Sequence, residues 1–358
     1  MNYRVIGLMS GTSLDGLDIA YCHFKKLEGQ WLFELKASKS IGYSSEFKAR
    51  LKKSIELPAI ALLLFHNEYG QWMGMKAADF IGDNQLEVDF LASHGHTVFH
   101  QPDKGLTYQI GSGQHLANAA GKKVICDFRT NDVALGGQGA PLVPIGDELL
   151  FSKYDLCLNL GGISNVSFKR DGNRIAYDIS PANMLLNHII QKIGKPYDDK
   201  GRLARTGHID QILLDQLNAL EYYKQPIPKS LGYEWFSDQV IPLIDNNGQK
   251  IEDLLCTAVH HISEQIATSL LKEAPKNAQK LLVTGGGAKN DFLIETISQK
   301  LGKSIKVHIP EASIIDYKEA IVFAFIGVLR ERNEVNCLRS VTGALSDSSG
   351  GVTYHPNN

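Results

Sequence analysis

The sequence predicts an α/β protein built of two related lobes. Its 358 residues are enough for about two domains, and 43% of them are apolar, which suffices for packed cores. One order of elements, strand–loop–strand–turn–strand–helix, begins at Tyr3 and begins again at Asp155. This repeat is the main indication of two lobes, and a chance match of short strand patterns is the alternative.

The first copy of this order lies near the N-terminus. A short polar loop separates its first two strands, and a turn separates the second from the third. Helical patterns follow on both sides of Pro58, which breaks them into two helices. The predicted elements are a strand at 3–9, a loop at 10–16, strands at 17–24 and 31–37, and helices at 46–56 and 59–80.

The second copy has the same elements in the same order. Gly161 and Gly162 form a tight turn after its first strand, and R-D-G-N predicts a hairpin turn before its third. Ser180 is a candidate N-cap and Pro181 a candidate first residue of the helix that follows. The predicted elements are strands at 155–160, 163–168 and 174–179 and a helix at 182–193.

The rest of the chain adds further strands and helices. A strand at 280–284 runs into three glycines and a helix from about Asn290. Amphipathic or apolar patterns predict helices at 251–271 and 317–332, and a short strand is expected at 306–309. The lobe boundary is expected near 129–132, which gives lobes at 1–131 and 132–339, with 340–358 completing the first.

Charge and composition exclude several classes of protein. With 37 Lys+Arg against 39 Asp+Glu the net charge is −2, which excludes a strongly basic nucleic-acid binder. The apolar runs at 59–65 and 320–329 are shorter than the roughly 18 residues of a membrane span. The 5 cysteines form no C-x-x-C pair, and no leader pattern precedes the first strand. We therefore expect a cytoplasmic protein without nucleic-acid or membrane partners.

Many of the 33 glycines lie in three loops that follow predicted strands. Glycines there let backbone N–H groups approach an anion closely. The loop at 9–18 also carries hydroxyls and the carboxylates of Asp15 and Asp18, a mixture suited to phosphates and hydrated Mg²⁺. The loops at 158–165 and 283–290 are similar, although none of the three has a P-loop or G-x-G-x-x-G pattern. Singly, each fits an ordinary turn; together they predict a nucleotide cleft between the lobes.

Three histidines offer a rival hypothesis. His94, His96 and His100 have the H-x-H…H spacing that is typical of a zinc or iron site. No acidic ligand stands beside them in the sequence. A metal hydrolase is therefore one alternative to a nucleotide-binding protein.

These loops carry motifs that resemble the anhydro-N-acetylmuramic acid kinase family of the actin/hexokinase/Hsp70 (ASKHA) superfamily. The opening motif M-S-G-T-S-x-D-G-x-D is intact at 9–18. The resemblance runs through nearly the whole chain. Its further blocks are S-H-G-H-T at 93–97, Q-I-G at 109–111, D-F-R-T-N-D at 127–132, G-G-Q-G-A-P-L at 136–142, L-G-G-I-S-N at 160–165, P-Y-D at 196–198, P-K-S at 228–230, G-G-G-A-K-N at 285–290, E-A at 319–320 and T-G-A at 342–344.

The resemblance implies a two-lobed ASKHA fold, which is a duplicated ribonuclease H-like fold with a nucleotide cleft between the lobes. It also implies ATP-dependent phosphorylation of O6 of 1,6-anhydro-N-acetylmuramic acid. Water opens the anhydro ring in the same reaction, and the product is N-acetylmuramic acid 6-phosphate. The implied cofactors are ATP and Mg²⁺, the implied partner is a small sugar, and a homodimer is compatible with the family.

Two departures from the family pattern leave alternatives open. His96 stands where the family has Gln. Ile179, Ser180 and Ala182 stand within a segment that usually reads D-T-G-P-G-N. The alternatives are an ASKHA kinase for another amino sugar and a non-catalytic nucleotide-binding module.

Opening the bond between C1 and O6 resembles inverting glycoside hydrolysis, in which a carboxylate activates water. Asp178 matches the family's catalytic aspartate and is the candidate base, with a plain helix-end carboxylate as the alternative. Glu319 is the second catalytic candidate: it resembles a family glutamate near the sugar that would support the water or bind a hydroxyl, and an ordinary acid in the first turn of a helix fits equally well. Arg129 and Asp132 are candidates for binding the lactyl carboxylate and a sugar hydroxyl, with a surface ion pair as the alternative.

The resemblance also assigns the ligand-binding residues. The residues predicted to bind ATP are Gly11, Thr12, Ser13, Leu14, Asp15, Gly16, Leu17, Asp18, Gly161, Gly162, Asn165, Gly285, Gly286, Gly287 and Asn290. Those predicted to bind the sugar are His94, Arg129, Asp132, Gln138 and Asn183. Asp15 is also the predicted Mg²⁺ ligand, through water.

Overall fold

A computed structural model describes residues 2–11 and 14–357 of the chain. It divides into two compact units: Met1–Leu150 with Tyr317–Asn358, and Phe151–Asp316. The boundary expected at 131/132 therefore falls inside the first unit, as does 317–339. The reason lies at Asp132, whose carboxylate accepts hydrogen bonds from Cys337 and Thr342 and so joins this segment to C-terminal residues.

The described strands follow the predicted order and extend most of its ranges. They are β1 (Asn2–Ser10), β2 (Gly16–Leu27), β3 (Gln30–Gly42), β4 (Phe90–Ser93), β5 (His96–Gln101), β6 (Leu106–Ile110), β7 (Val124–Cys126), β8 (Leu156–Leu160), β9 (Ile163–Arg170), β10 (Asn173–Pro181), β11 (Lys280–Thr284), β12 (Lys306–His308) and β13 (Val352–Tyr354).

The helices confirm the predicted helical segments and add short ones between them. They are α1 (Ser45–Lys52), α2 (Ala59–Asp83), α3 (Gly113–Ala120), α4 (Thr130–Ala134), α5 (Pro144–Leu149), α6 (Asn183–Gln191), α7 (Gln211–Asn218), α8 (Tyr233–Trp235), α9 (Ile241–Asp245), α10 (Ile251–Glu273), α11 (Asp291–Leu301), α12 (Ala312–Glu331) and α13 (Arg339–Thr342). Within the described residues, no helix has the length and apolarity needed to cross a membrane.

Each unit contains one large sheet, and the two large sheets share a topology; β5 and β6 form a separate two-stranded sheet in the first unit. The first has the order β13-β7-β4-β1-β2-β3 and the second the order β10-β9-β8-β11-β12. In each large sheet, the first three strands in chain order pair antiparallel to one another. The next two strands run parallel to the first strand. This 3-2-1-4-5 order, present twice, is that of a duplicated ribonuclease H-like fold. The predicted fold class is confirmed.

The core of the first unit lies on both faces of β1, because successive side chains of a strand point to opposite faces. Ile6 and Leu8 are fully buried in a cluster that includes Tyr69 of α2. Gly7 points the other way, towards α12. A Cβ atom on Gly7 would lie 1.9 Å from the carbonyl oxygen of Ala320, so the helix backbone rests directly on the strand.

The core of the second unit is formed mainly by α10 and the sheet. Leu255, Val259 and Ile262 of this helix are fully buried in one cluster with Leu158 of β8 and Phe168 of β9. The amphipathic pattern at 251–271 thus predicted the helix. The cluster holds the ends of β8 and β10 in place, where the candidate catalytic residues lie.

The prediction for the start of α6 is wrong. Ser180 and Pro181 lie in β10 and not at the N-cap and first position of a helix, which begins at Asn183. The Oγ atoms of Ser180 and Ser164 lie 3.0 Å apart, and the backbone N–H of Ser180 also donates to Ser164. This buried pairing with β9 outweighs the local preference of Ser-Pro for a helix start. A smaller difference is that α12 begins at Ala312, before the expected 317.

The contact between β1 and α12 gives a testable prediction. Gly7→Ala should cost about 2 kcal/mol of stability or more, because its methyl group meets a backbone carbonyl that no rotamer change can move. Gly82→Ala in α2 is the matched control: a Cβ there meets no atom within 4 Å. Its stability should stay the same or rise by up to about 1 kcal/mol. Melting temperatures from circular dichroism measure both, and equal values would contradict the proposed contact.

Candidate active site

Asp178 has one carboxylate oxygen held and the other open. Its Oδ2 accepts hydrogen bonds from the backbone N–H of Leu231 at 2.9 Å and from Oγ of Ser230 at 3.1 Å. No described residue donates to Oδ1. Asp178 lies in β10 just before a register shift in the pairing with β9, which turns the strand there. One oxygen therefore fixes the group, and the other is available to a ligand.

The environment of Asp178 suits a general base. Burial raises its pKa, and the hydrogen bonds from Leu231 and Ser230 oppose this increase. A carboxylate that is more basic than a free aspartate yet still ionised near neutral pH accepts a proton more readily. Because its partners lie at 230–231 and not in α6, the alternative of a carboxylate that merely caps a helix is not supported.

The backbone of Asp178 is held by the same part of the chain. Tyr222 donates from its hydroxyl to the carbonyl oxygen of Asp178 at 2.7 Å, and the N–H of Asp178 donates to the carbonyl of Lys229 at 3.0 Å. Lys229 in turn donates from Nζ to the carbonyl of Tyr222 at 2.9 Å. The sequence marked 228–230 as a family block but gave no sign that it anchors the base.

Polar side chains form a row across the second sheet beside Asp178. Asn165 is its partner on β9, Asn159 on β8 is the partner of Asn165, and Thr284 on β11 is the partner of Asn159. Directly opposite residues in neighbouring strands share a face of the sheet. Asn165, predicted to bind ATP, therefore lies next to the candidate base, and Asn159 is a further polar neighbour that the prediction missed.

The turn at Gly161 and Gly162 packs on the start of α6. The carbonyl of Gly162 accepts from the N–H of Ala182 at 2.8 Å, and the carbonyl of Gly161 accepts from the N–H of Asn183 at 3.1 Å. The side-chain amide of Asn183 donates to the carbonyl of Leu160 at 3.0 Å. Asn183, predicted to bind the sugar, thus holds this turn, while Gly162 itself is exposed.

The three glycines at 285–287 lie against the end of β8. Gly285 has a φ of +81°, and a Cβ on it would lie 2.6 Å from Oδ1 of Asn159. A Cβ on Gly287 would lie 2.7 Å from that of Leu160. Asn290 caps α11, since its Oδ1 accepts from the N–H of Leu293 at 3.0 Å. Two predicted ATP loops are therefore neighbours in the second unit.

The opening loop is described only in part, because Thr12 and Ser13 lie outside the described residues. The N–H of Leu14 donates to the carbonyl of Gly11 at 3.2 Å. Gly16 starts β2, and the side chain of Leu17 is fully buried, so it faces the core.

The two aspartates of the opening loop differ in their surroundings. Asp18 accepts a hydrogen bond from Oγ of Ser40 at 2.5 Å, whereas Asp15 is exposed and has no hydrogen bond to a described residue. Carboxylate oxygens are donors that Mg²⁺ prefers. Asp15 therefore fits the predicted magnesium ligand better than Asp18 does.

Buried His94 and half-buried Arg129 form a hydrogen-bonded pair in the first unit. Nε of Arg129 donates to Nε2 of His94 at 3.0 Å, and Nη1 donates to the carbonyl of Gly139 at 2.6 Å. Burial and the charge of Arg129 lower the pKa of His94, so the ring is neutral and can accept. Burial lowers the pKa of Arg129 to about 10, which leaves it charged at neutral pH. Its Nη2 has no hydrogen-bond partner among the described residues.

Glu319 lies close enough to Arg129 for the two charges to interact. The charge of Glu319 supports the protonated form of Arg129. Solvent reaches part of the Glu319 side chain. Desolvation of its carboxylate by the surrounding protein raises its pKa, and the positive charges of Arg129 and Lys318 oppose this increase. The neighbouring Lys318 forms a buried ion pair with Asp147 at 2.7 Å, which the sequence did not suggest. His94, Arg129 and Glu319 thus lie near one another in the first unit.

Asp132 has a structural environment. Its Oδ2 accepts from the N–H of Gly139 at 2.7 Å, and its Oδ1 accepts from Thr342 at 2.7 Å and from Cys337 at 3.0 Å. It is only 1% exposed. This fits a group that holds the 137–139 loop better than one that contacts a sugar hydroxyl or forms a surface ion pair. Gln138 in that loop is exposed and remains a candidate for the sugar.

The structure does not support the metal-hydrolase hypothesis. Across 2–11 and 14–357, no three His, Cys, Asp or Glu side chains are grouped so that they could hold a metal ion. His94 uses Nε2 for Arg129, and His100 lies beside Thr107, with Nδ1 3.2 Å from its hydroxyl oxygen. His96 and His100 lie on β5 and His94 lies just before it, so the H-x-H…H spacing does not group the three rings into a metal site.

Comparisons with known proteins agree with these features. A model of the anhydro-N-acetylmuramic acid kinase family matches residues 3–356. The chain belongs to the anhydro-N-acetylmuramic acid kinase family. A member from Hydrogenovibrio crunogenus is 32% identical and is matched over 98% of each chain. A member from Aliivibrio fischeri is 33% identical over 99% of this chain and 100% of its own.

Solved structures show more distant similarity. The activator of the 2-hydroxyisocaproyl-CoA dehydratase from Clostridium difficile is 14% identical with a TM-score of 0.44, covering 93% of this chain and 97% of its own. A ROK hexokinase from Thermus thermophilus is 12% identical with a TM-score of 0.39, covering 92% and 100%. The strand order of the two sheets, and not these similarities, carries the fold assignment for this member of the anhydro-N-acetylmuramic acid kinase family.

The surroundings of Asp132 predict a stability effect. Asp132→Asn should cost about 2 kcal/mol or more, because an amide NH₂ replaces one oxygen that faces buried donors. Gln138→Ala in the same loop should change stability by no more than about 0.5 kcal/mol, since its side chain is exposed. Thermal melting compares the two. An unchanged melting temperature in Asp132→Asn would contradict the structural role.

Proposed function

We propose that this protein phosphorylates O6 of 1,6-anhydro-N-acetylmuramic acid with ATP while water opens the anhydro ring. The product is N-acetylmuramic acid 6-phosphate. The observation that carries the proposal is Asp178, a carboxylate with one oxygen anchored by Ser230 and Leu231 and the other open. Family membership supports the same substrate, because the relatives are named as kinases of this sugar.

The reaction breaks the bond between C1 and O6. Asp178 takes a proton from water, and the water oxygen bonds to C1. The electron pair of the broken bond stays on O6, which bonds to the γ-phosphorus of ATP, and ADP leaves. Phosphoryl capture thus replaces the acid that protonates the leaving oxygen in glycoside hydrolysis, so one base is enough.

Residues of the first unit are proposed to bind the sugar. Arg129 is charged, and its Nη2 is available to the lactyl carboxylate once Nε and Nη1 are fixed by His94 and Gly139. Gln138 is exposed, immediately precedes Gly139, whose carbonyl accepts from this guanidinium, and is proposed to bind a polar group of the sugar. Glu319, which solvent reaches, is proposed to bind a hydroxyl or the attacking water.

The glycine loops are proposed to hold ATP through backbone N–H groups. Gly11 belongs to the opening loop. In the two other glycine loops, Gly162 and Gly286 have the most open surroundings, because an added Cβ would meet no atom nearer than 3.5 Å. Mg²⁺, held by Asp15 through water, would neutralise charge on the phosphates. Because ATP is the phosphoryl donor, we place the reaction in the cytoplasm. The expected homodimer stays a prediction.

The altered residues at 179–182 are compatible with the family's substrate. Ile179, Ser180 and Ala182 are all buried, at 2%, 0% and 0% exposure. Ser180 is paired with Ser164, so its hydroxyl is used inside the protein. Ser180 and Ala182, which stand where the family has glycine, and Ile179, which stands where it has threonine, therefore fill space inside the protein, which gives no reason to favour a different amino sugar.

An isotope experiment tests the coupled reaction. In ¹⁸O-labelled water the label should appear on C1 of the product, because water attacks that carbon, and not in the phosphate ester. Mass spectrometry of the product and its fragments measures this. A product without label at C1, or turnover of the ring-opened sugar in preference to the anhydro sugar, would contradict ring opening by water.

Removing the base should remove the chemistry. Asp178→Asn should lower kcat by at least about 10²-fold, the scale of general-base catalysis. Asp215→Asn, an exposed position on α7, is the matched control and should keep wild-type kcat. In the wild type, kcat/KM should fall as acid protonates Asp178, at a pH above the roughly 3.9 of a free aspartate, because burial raises its pKa. Normal turnover in Asp178→Asn would assign the base to another residue.

A further inference from the structure

Asp178 lies on an edge strand of the large sheet in the second unit. β10 stands at one end of the order β10-β9-β8-β11-β12, so β9 is its one neighbour among the described strands. In an antiparallel strand, the N–H and the carbonyl of one residue point to the same side. For Asp178 that side is the open edge, because its N–H donates to the carbonyl of Lys229 and its carbonyl accepts from Tyr222. The backbone of the candidate base is therefore held from outside the sheet.

One segment of the chain, residues 222–231, supplies all of these contacts. Hydrogen bonds join it to the N–H, the carbonyl and Oδ2 of Asp178. The direction of each is fixed by its chemistry, since N–H and hydroxyl groups donate and carbonyl and carboxylate oxygens accept. The 222–231 segment thus covers the edge of β10 where another strand would otherwise pair. Because it binds both backbone and carboxylate, any shift of the segment shifts the base.

Lys229 joins the two parts of this segment that hold the backbone of Asp178. Its Nζ donates to the carbonyl of Tyr222 at 2.9 Å and lies 4.4 Å from the centroid of the Tyr222 ring. The same atom lies 3.5 Å from the carbonyl oxygen of Tyr223. A cation over an aromatic face is attracted to the ring, and more strongly where water is partly excluded. Lys229 is half-buried, so its ammonium holds Tyr222 by both backbone and ring.

The hydroxyl of Tyr222 is suited to fixing a position and not to transferring a proton. Burial and the charge of Asp178 raise its pKa, so it stays protonated at physiological pH and donates. The side chain is 3% exposed, and its ring packs on that of Trp235 with 5.2 Å between centroids. Its acceptor is the main-chain carbonyl of Asp178, which takes no part in the reaction. Tyr222 therefore influences the base only through the position of its backbone.

We propose that Tyr222 and Lys229 are positioning residues of the reaction. Tyr222 fixes the backbone of Asp178, and Lys229 fixes Tyr222, so that Oδ1 of Asp178 is held where it takes the proton from water. The inference rests on the proposed function, in which Asp178 is the base. A base that is slightly misplaced slows the chemical step while substrate binding is unaffected. The two residues therefore act on kcat and not on KM.

Two matched tyrosines of the full-length protein test the role of Tyr222. Tyr177 precedes Asp178, is 4% exposed, and has its hydroxyl 2.8 Å from Oγ of Ser269. Tyr222→Phe and Tyr177→Phe each remove one buried hydroxyl and should lower the melting temperature by similar amounts. Only Tyr222→Phe should lower kcat, about tenfold, with KM for sugar and ATP within about twofold of wild type. Unchanged kcat in Tyr222→Phe, an equal loss of kcat in both variants, or a raised sugar KM with normal kcat would overturn the proposal.

Lys229 is tested with a measurement that does not depend on turnover. Lys229→Met keeps the length of the side chain and removes the ammonium, so backbone amides of residues 222–231 should exchange hydrogen for deuterium faster, as mass spectrometry measures. It should also lower kcat about fivefold, and Lys229→Arg, which keeps a cation over the ring, should restore both. Unchanged exchange in Lys229→Met would overturn the role of Lys229. Absence of any turnover in the wild type would refute the proposed function, while exchange would still show whether Lys229 holds the segment.

Discussion

The backbone contact between β1 and α12 is the constraint on which the first unit depends. Gly7 has no side chain where the carbonyl of Ala320 contacts it, so α12 packs directly on the backbone of β1. Glu319 immediately precedes this contact, and Ser10 ends the same strand. The positions of these polar groups are therefore set by a residue that has no functional group, and by packing that leaves no room for adjustment.

Local patterns in the sequence were sufficient for the architecture. Period-two alternation and turn residues located the strands of both copies, and an amphipathic pattern located α10. The clearest error in a predicted element, at Ser180 and Pro181, arose where a long-range contact outweighed a local preference. Ser180 bonds to Ser164 in the neighbouring strand, and no pattern in the surrounding residues indicates that pairing.

The candidate site was harder to predict, because its residues act through partners that are distant in the sequence. The sequence identified Asp178 and Arg129, but not the residues that hold them: Ser230 and Leu231 for the first, and His94 as the acceptor for the second. Of two residues with expected ligand contacts, Asp132 accepts hydrogen bonds within the protein on both carboxylate oxygens, and Asn183 donates from its side-chain amide to the carbonyl of Leu160. A motif records that a residue is needed and does not distinguish contact with substrate from support of a loop.

The dependence of Asp178 on the 222–231 segment has an evolutionary consequence. That segment supplies no reacting atom, yet it holds both the carboxylate and the backbone of the base. Displacing it would expose Oδ2 to water and return the carboxylate towards ordinary acidity, although Asp178 itself is unchanged. A descendant of this protein could therefore retain every signature motif and lose its chemistry through drift in a loop that motif searches ignore.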